Sequence, residues 1–77
     1  MDYREKFITI SNILSKNHKL SFRLYNVLYT ITFKDNKFYI SNTSIASKKE
    51  YPTLKDLFND YIVYGSNLFE LIKDIKL

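Results

Sequence analysis

From Leu20 to Asn42 the chain reads LSFRLYNVLYTITFKDNKFYISN, and its side chains alternate between apolar and polar so regularly that an antiparallel meander is the fold it best accommodates. Residues two apart share one face of a sheet. Asp35-Asn36 is a pair that tolerates the positive backbone angles of a two-residue turn. A turn there sets Lys34 against Lys37, Phe33 against Phe38, Thr32 against Tyr39 and Ile31 against Ile40. Slipping this register by one residue would turn Ile31 and Phe33 to the opposite face, so burial fixes it more firmly than the turn does. A preceding strand gives Leu20, Phe22 and Leu24 to the same inner face. Because Val27 disfavours a positive backbone angle, the expected connection is a four-residue loop, Tyr25-Asn26-Val27-Leu28, with Leu24 opposite Tyr29.

A different period flanks this meander. Tyr3, Phe7, Ile10 and Leu14 recur at spacings of three and four with polar residues between them, which predicts an amphipathic helix from the start of the chain to about Asn17. After Pro52, Thr53 is a helix cap with Asp56 three residues on, and Leu54, Leu57, Phe58, Tyr61 and Ile62 form the inner stripe of a second helix. Gly65, the one glycine, is expected to end that helix in a left-handed conformation, with Ser66 or Asn67 capping a short third helix that presents Leu68, Leu71, Ile72 and Ile75. The expected architecture is a single domain over residues 1–77. It is a two-layer α+β fold of order α-β-β-β-α-α, its three-stranded meander covered on one face by helices.

A chain of 77 residues buries only about 60% of its unfolded surface, enough for one modest core. The six phenylalanines and seven tyrosines supply much of that burial. There is no cysteine, hence no disulfide and no thiolate metal site, and nothing that argues for secretion. No apolar run approaches the length of a membrane span, and the opening MDYREK leads into an amphipathic stripe instead of a signal core. A cytoplasmic protein without cofactors is expected. Phe, Tyr, Met, Ile, Asn and Lys, all coded by AT-rich triplets, make up more than half of the chain. That bias fits a low-GC bacterium, a phage or mobile element within one, or some eukaryotic parasites, and the small size favours the phage or mobile element.

Catalytic patterns are missing. His18 is the only histidine; it lies between Lys16-Asn17 and Lys19, has no ligand partner nearby in sequence, and suits a helix C-terminus, where positive charge is favourable. Asp56 and Asp60, like Glu70 and Asp74, are spaced by four on polar helix faces, the pattern of solvated surface. A chain with one glycine has no phosphate-cradling glycine loop. The expectation is a protein that is not an enzyme and holds no metal.

Charge is unevenly placed. Residues 1–49 hold nine Lys or Arg against three acids, and residues 50–77 hold three against five. By the register above, the outer face of the sheet shows Ser21, Arg23 and Tyr25, then Thr30, Thr32 and Lys34, then Lys37, Tyr39 and Ser41. Cations interleaved with tyrosines and hydroxyls suit an interface, since Tyr and Arg dominate binding energy at protein contacts. The same ingredients serve single-stranded nucleic acid, where cations follow phosphates and rings stack on bases. They also suit any solvated strand face. The link Asn42 to Tyr51, NTSIASKKEY, adds Lys48 and Lys49 as a second candidate surface; it is read as a binding loop, or more commonly as a plain connector or a hidden short fourth strand. Arg23, Tyr25, Lys34, Lys37, Tyr39, Lys48 and Lys49 are therefore the candidate partner-binding residues. The first expected partner is a protein or nucleoprotein; the alternatives are RNA or single-stranded DNA, and a second copy of the chain joined through a sheet edge. Tyr64 and Phe69 fall off the inner stripes and mark a further apolar surface.

The order helix, meander, two helices, with the hairpin FKDNKFYIS near mid-chain, resembles a small phage-encoded inhibitor of the anti-CRISPR family. The likeness lies in element order and hairpin pattern. It implies a small α+β inhibitor that blocks an RNA-guided nuclease. That inhibitor is acidic and imitates DNA, whereas this chain carries a net charge of +4. The contact implied here is with a protein surface or a guide-RNA complex.

Overall fold

In the computed structural model, which describes residues 3–42 and 45–77, the chain runs α1 (Tyr3–Asn17), β1 (Lys19–Leu24), β2 (Val27–Lys34), β3 (Lys37–Asn42), β4 (Ile45–Tyr51), α2 (Leu54–Asp60), β5 (Ile62–Val63), β6 (Ser66–Asn67) and α3 (Leu68–Leu71), and a 3-10 turn follows at Ile72–Asp74. β1 to β4 form one antiparallel sheet in sequential order, and β5 with β6 forms a separate two-stranded ribbon. The α+β class and the meander are as the alternation implies. The meander has a fourth strand.

α1 ends as its stripe predicts. Ile10 and Leu14 are buried and Phe7 packs against the core, while the Tyr3 side chain lies outside what the structure describes. His18 then takes a positive φ of 61°, its N–H donating to Leu14 O (2.8 Å) and its carbonyl accepting from Phe33 N–H (2.9 Å). Histidine is among the side chains enriched in this left-handed region, which turns the chain out of the helix and into the sheet.

The Asp35-Asn36 turn has positive φ at both residues, and the register from Lys34↔Lys37 to Ile31↔Ile40 is the expected one. The first turn differs. Leu24 pairs with Val27 and Phe22 with Tyr29, so the loop is two residues long, Tyr25-Asn26, with φ of 51° and 63°. Val27 escapes the positive angle because Tyr25 takes it. The shift against the expected register is two residues, so every side chain keeps its face, and Leu20, Phe22, Leu24, Tyr29, Ile31 and Ile40 are all buried.

The connector read as a loop or a short strand is β4. Thr43 and Ser44 lie outside the described residues, and the β3–β4 register shifts between Ile40 and Asn42. Its exposed Lys48, Lys49 and Glu50 give no apolar alternation to read, as befits a charged edge strand.

The second helix is shorter than expected. Thr53 Oγ1 accepts from Asp56 N–H (3.1 Å), Leu54, Leu57 and Phe58 are buried, and the helix stops at Asp60, with Tyr61 extended. Ile62, placed on the inner stripe by the sequence reading, is exposed in β5. Gly65 is left-handed (φ 80°) as expected, but it closes the β5–β6 ribbon together with Tyr64 (φ 51°) and does not end a helix. Asn67 and Glu70 cap α3 reciprocally, at 2.9 and 3.1 Å, and Leu68, Leu71, Ile72 and Ile75 are buried. Phe7, Phe58 and Phe69 meet with ring centroids 5.1 to 5.3 Å apart, joining the three helices. Phe69 thus packs against the core, and Tyr64 stays 80% exposed. No described helix is long and apolar enough to cross a membrane.

Candidate interaction face

All the helices cover the side of the sheet lined by Phe22, Leu24, Ile31 and Ile40. On the other side lie Lys19, Ser21, Arg23, Leu28, Thr30, Thr32, Lys34, Lys37, Tyr39, Ser41, Lys48 and Glu50, none of them buried. Charge on this face is one-sided, five cations against the single carboxylate of Glu50. Leu28 and Lys34 lie six positions apart along β2, so its two ends are about 20 Å apart.

At the end nearer the Asp35-Asn36 turn, register places Lys34 directly opposite Lys37. Like charges in this arrangement repel. β4 relieves part of the repulsion, because Glu50 reaches Lys37 at 3.5 Å. Thr32, Lys34, Asp35, Tyr39 and Lys48 then line a shallow notch of about 230 Å³, where two lysines and the Asp35 carboxylate surround the half-buried Tyr39 and, among the described residues, neither lysine has an ion-pair partner. Lys48 belongs to this face. Lys49 pairs with Ile40, whose side chain faces the helices, and the register sets it on the opposite side.

At the other end the turn at Tyr25-Asn26 meets the C-terminal segment. Arg23 and Lys76 exchange both backbone hydrogen bonds, each 2.9 Å, in an isolated bridge that extends the sheet by one pair. This again sets two cations directly opposite each other. Lys6 Nζ secures the segment by donating to the carbonyls of Ile75 and Lys73. Tyr25 is not a strand residue of the outer face. Its hydroxyl donates to Asp74 Oδ2 (3.3 Å) and its ring lies 5.5 Å from that of Tyr64. Loss of solvation raises the Tyr25 phenol pKa, and the Asp74 carboxylate raises it further. Both tyrosines hold positive φ at the first position of a two-residue turn, a conformation that costs a bulky side chain about 1–3 kcal/mol.

The seven sequence candidates thus divide. Lys34, Lys37, Tyr39 and Lys48 share one end of the face, Arg23 and Tyr25 the other, and Lys49 stands apart. Asp74, expected on a solvated helix face, and Tyr64, expected on an apolar surface, join the second end, and so do Lys73 and Lys76, which are not among the candidates. Nothing local marks them, because the backbone bridge that brings Lys76 to Arg23 spans most of the chain. His18 stacks on Phe33, with ring centroids 5.9 Å apart. Among the described residues no group of three or more His, Cys, Asp or Glu side chains could hold a metal ion. Comparison with known protein families, with curated proteins and with solved structures finds no significant match.

Proposed function

We propose that this is a small non-enzymatic binding protein that docks on a larger protein or nucleoprotein through the open outer face of its sheet. The observation that carries this reading is an uncovered face with five cations and one acid, in which Lys34 and Lys48 flank the Tyr39 ring. Aromatic and cationic groups together supply desolvated anchoring and electrostatic steering, and the partner surface they suit is acidic. The AT-rich composition and the resemblance to anti-CRISPR inhibitors support a phage or mobile-element origin, a cytoplasmic setting, and a host defence complex as the partner. Inhibition then arises from occupying a surface that the complex needs, as a basic chain cannot imitate DNA.

The test is capture from a lysate of an AT-rich bacterial host, with and without nuclease, by the native chain and by a Tyr39→Ala/Lys34→Glu variant. A defined complex that survives nuclease and is lost with the variant supports docking. Retention of the same complex by the variant would refute this face as the contact.

One observation favours direct binding of single-stranded nucleic acid as a second reading. The Tyr39 notch offers a ring for a base with cations on either side for phosphates. In that case binding falls steeply between low and physiological salt, and Lys34→Glu weakens it for every sequence.

A further inference from the structure

At the opposite end of the face, Arg23, Tyr25, Asn26, Lys73, Asp74 and Lys76 line a groove of about 450 Å³, within the size range of small-ligand sites. Its charge is unbalanced. The backbone bridge holds Arg23 and Lys76 opposite each other, Lys73 adds a third cation, and among the described residues none of the three has an ion-pair partner. The only acid present, Asp74, is engaged by the Tyr25 hydroxyl. Three cations and one carboxylate leave an excess of two positive charges, which a phosphate monoester of about −1.5 to −2 charges at neutral pH matches better than a single carboxylate would. Tyr25 lines the groove and its ring lies 5.5 Å from that of Tyr64; the two are 46% and 80% exposed, and each residue holds a positive φ at a cost in backbone strain.

We infer that this groove binds a phosphorylated small molecule carrying a planar ring, of which a nucleoside monophosphate is the simplest. Arg23, Lys73 and Lys76 hold the phosphate, Arg23 through a fork of donors suited to two of its oxygens. The ring system stacks on Tyr64, the more exposed of the two rings. The groove shares Arg23 with the docking face but borders none of Lys34, Tyr39 and Lys48, which line a separate notch, so the two readings can fail independently.

The test is titration of the full chain with AMP, with adenosine and with inorganic phosphate at constant ionic strength, followed by calorimetry and by amide shifts. AMP should bind about tenfold more tightly than inorganic phosphate, a modest gain for stacking on one ring. The largest shifts should fall at Arg23, Asn26 and Lys76. Tyr64→Asn, which keeps a residue that tolerates the positive φ, should bring AMP down to the affinity of phosphate, and Arg23→Gln/Lys76→Gln should abolish both. Lys16→Gln, on the exposed side of α1, should change neither. Absence of a saturable shift at millimolar AMP, shifts spread evenly over all the lysines, or unaltered AMP binding by a folded Arg23→Gln/Lys76→Gln variant would each overturn the assignment.

Discussion

Both ends of the outer sheet face hold two cations opposite each other across neighbouring strands, and the chain deals with the repulsion in two ways. At Lys34 and Lys37 a third strand brings a counter-ion, Glu50. At Arg23 and Lys76 the nearby acid is diverted to a tyrosine, and the positive charge is left open. The cores beneath differ as well. Phe22, Leu24 and Ile75 are fully buried behind the second end, whereas Phe33 and Phe38 behind the first are only half-buried, with a crevice of about 70 Å³ between them and Ser11, Leu14 and Ser15. A backbone bridge anchors the open charge on the firmer end of the molecule, where a ligand site would be pre-organised. The partly neutralised charge lies over the looser end.

The sharpest way to break this contrast is to remove one ring from each core. Phe22 is 1% exposed and stacks with Tyr29 at 5.4 Å. Phe22→Ala should cost about 3–5 kcal/mol, a large share of the stability of so small a domain. Phe33→Ala should cost roughly half as much, since part of its surface already meets water. Urea denaturation compares them, and equal losses would remove the distinction between the ends.

A smaller effect tests the bridge itself. Lys6→Met keeps the length of the side chain but deletes the ammonium group that binds the Ile75 and Lys73 carbonyls. A loss of about 1–2 kcal/mol is expected, typical of a charged hydrogen bond at a partly exposed site. Amide exchange should accelerate at Arg23 and Lys76, whose N–H groups close the bridge, while the amides of β3 keep their protection. Uniform acceleration throughout the sheet would mean that the C-terminal segment is no separate unit.

Alkaline titration reaches both ends. Desolvation raises the Tyr29 phenol pKa, with Tyr61 and Tyr64 adding to it, and desolvation likewise raises that of Tyr51, with Asp60 and Tyr61 adding. A phenol whose pKa is higher in the folded state binds its proton more tightly there. Stability is therefore fully present below the unfolded value of about 10 and declines as pH climbs from that value through the folded one. Tyr29→Phe should flatten the decline, measured as the denaturation midpoint against pH. An unchanged slope would sink this account of the Tyr29 environment.

Where the amino-acid pattern was informative, the reason was burial. The β2–β3 register follows from Ile31, Phe33, Phe38 and Ile40 meeting on one face, and α1 from its stripe. The β1–β2 turn is two residues shorter than the pattern implies because Tyr25 accepts a positive φ that its side chain does not favour, compensated by contacts with Asp74 and Tyr64 that are distant in sequence. β4 carries too little apolar alternation to announce itself. The α2 stripe runs past Asp60 in sequence, yet Tyr61 leaves the helix, with its hydroxyl accepting from Asn42 (3.3 Å). Lys34, Lys37 and Tyr39 share a face by register alone, whereas Lys48 joins them only through β4 and the Arg23, Lys73 and Lys76 groove requires the fold.

The gentlest perturbation addresses the counter-ion that distinguishes the two ends. Lys37 and Glu50 are each about half exposed, at 51% and 55%, and their 3.5 Å pair is open to solvent and salt. Such pairs contribute about 0–1 kcal/mol, so Glu50→Gln should barely move the denaturation midpoint. Its effect on binding should be larger than its effect on folding. Removing the one carboxylate of the face leaves Lys37 as uncompensated as Arg23, making the two ends electrostatically alike. Association with an acidic partner should then quicken at low salt, and the gain should vanish as screening rises. If Glu50→Gln slowed association instead, Glu50 would be a contact in its own right, and the Lys34–Lys37 end would be a mixed-charge surface whose partner offers a cation to it.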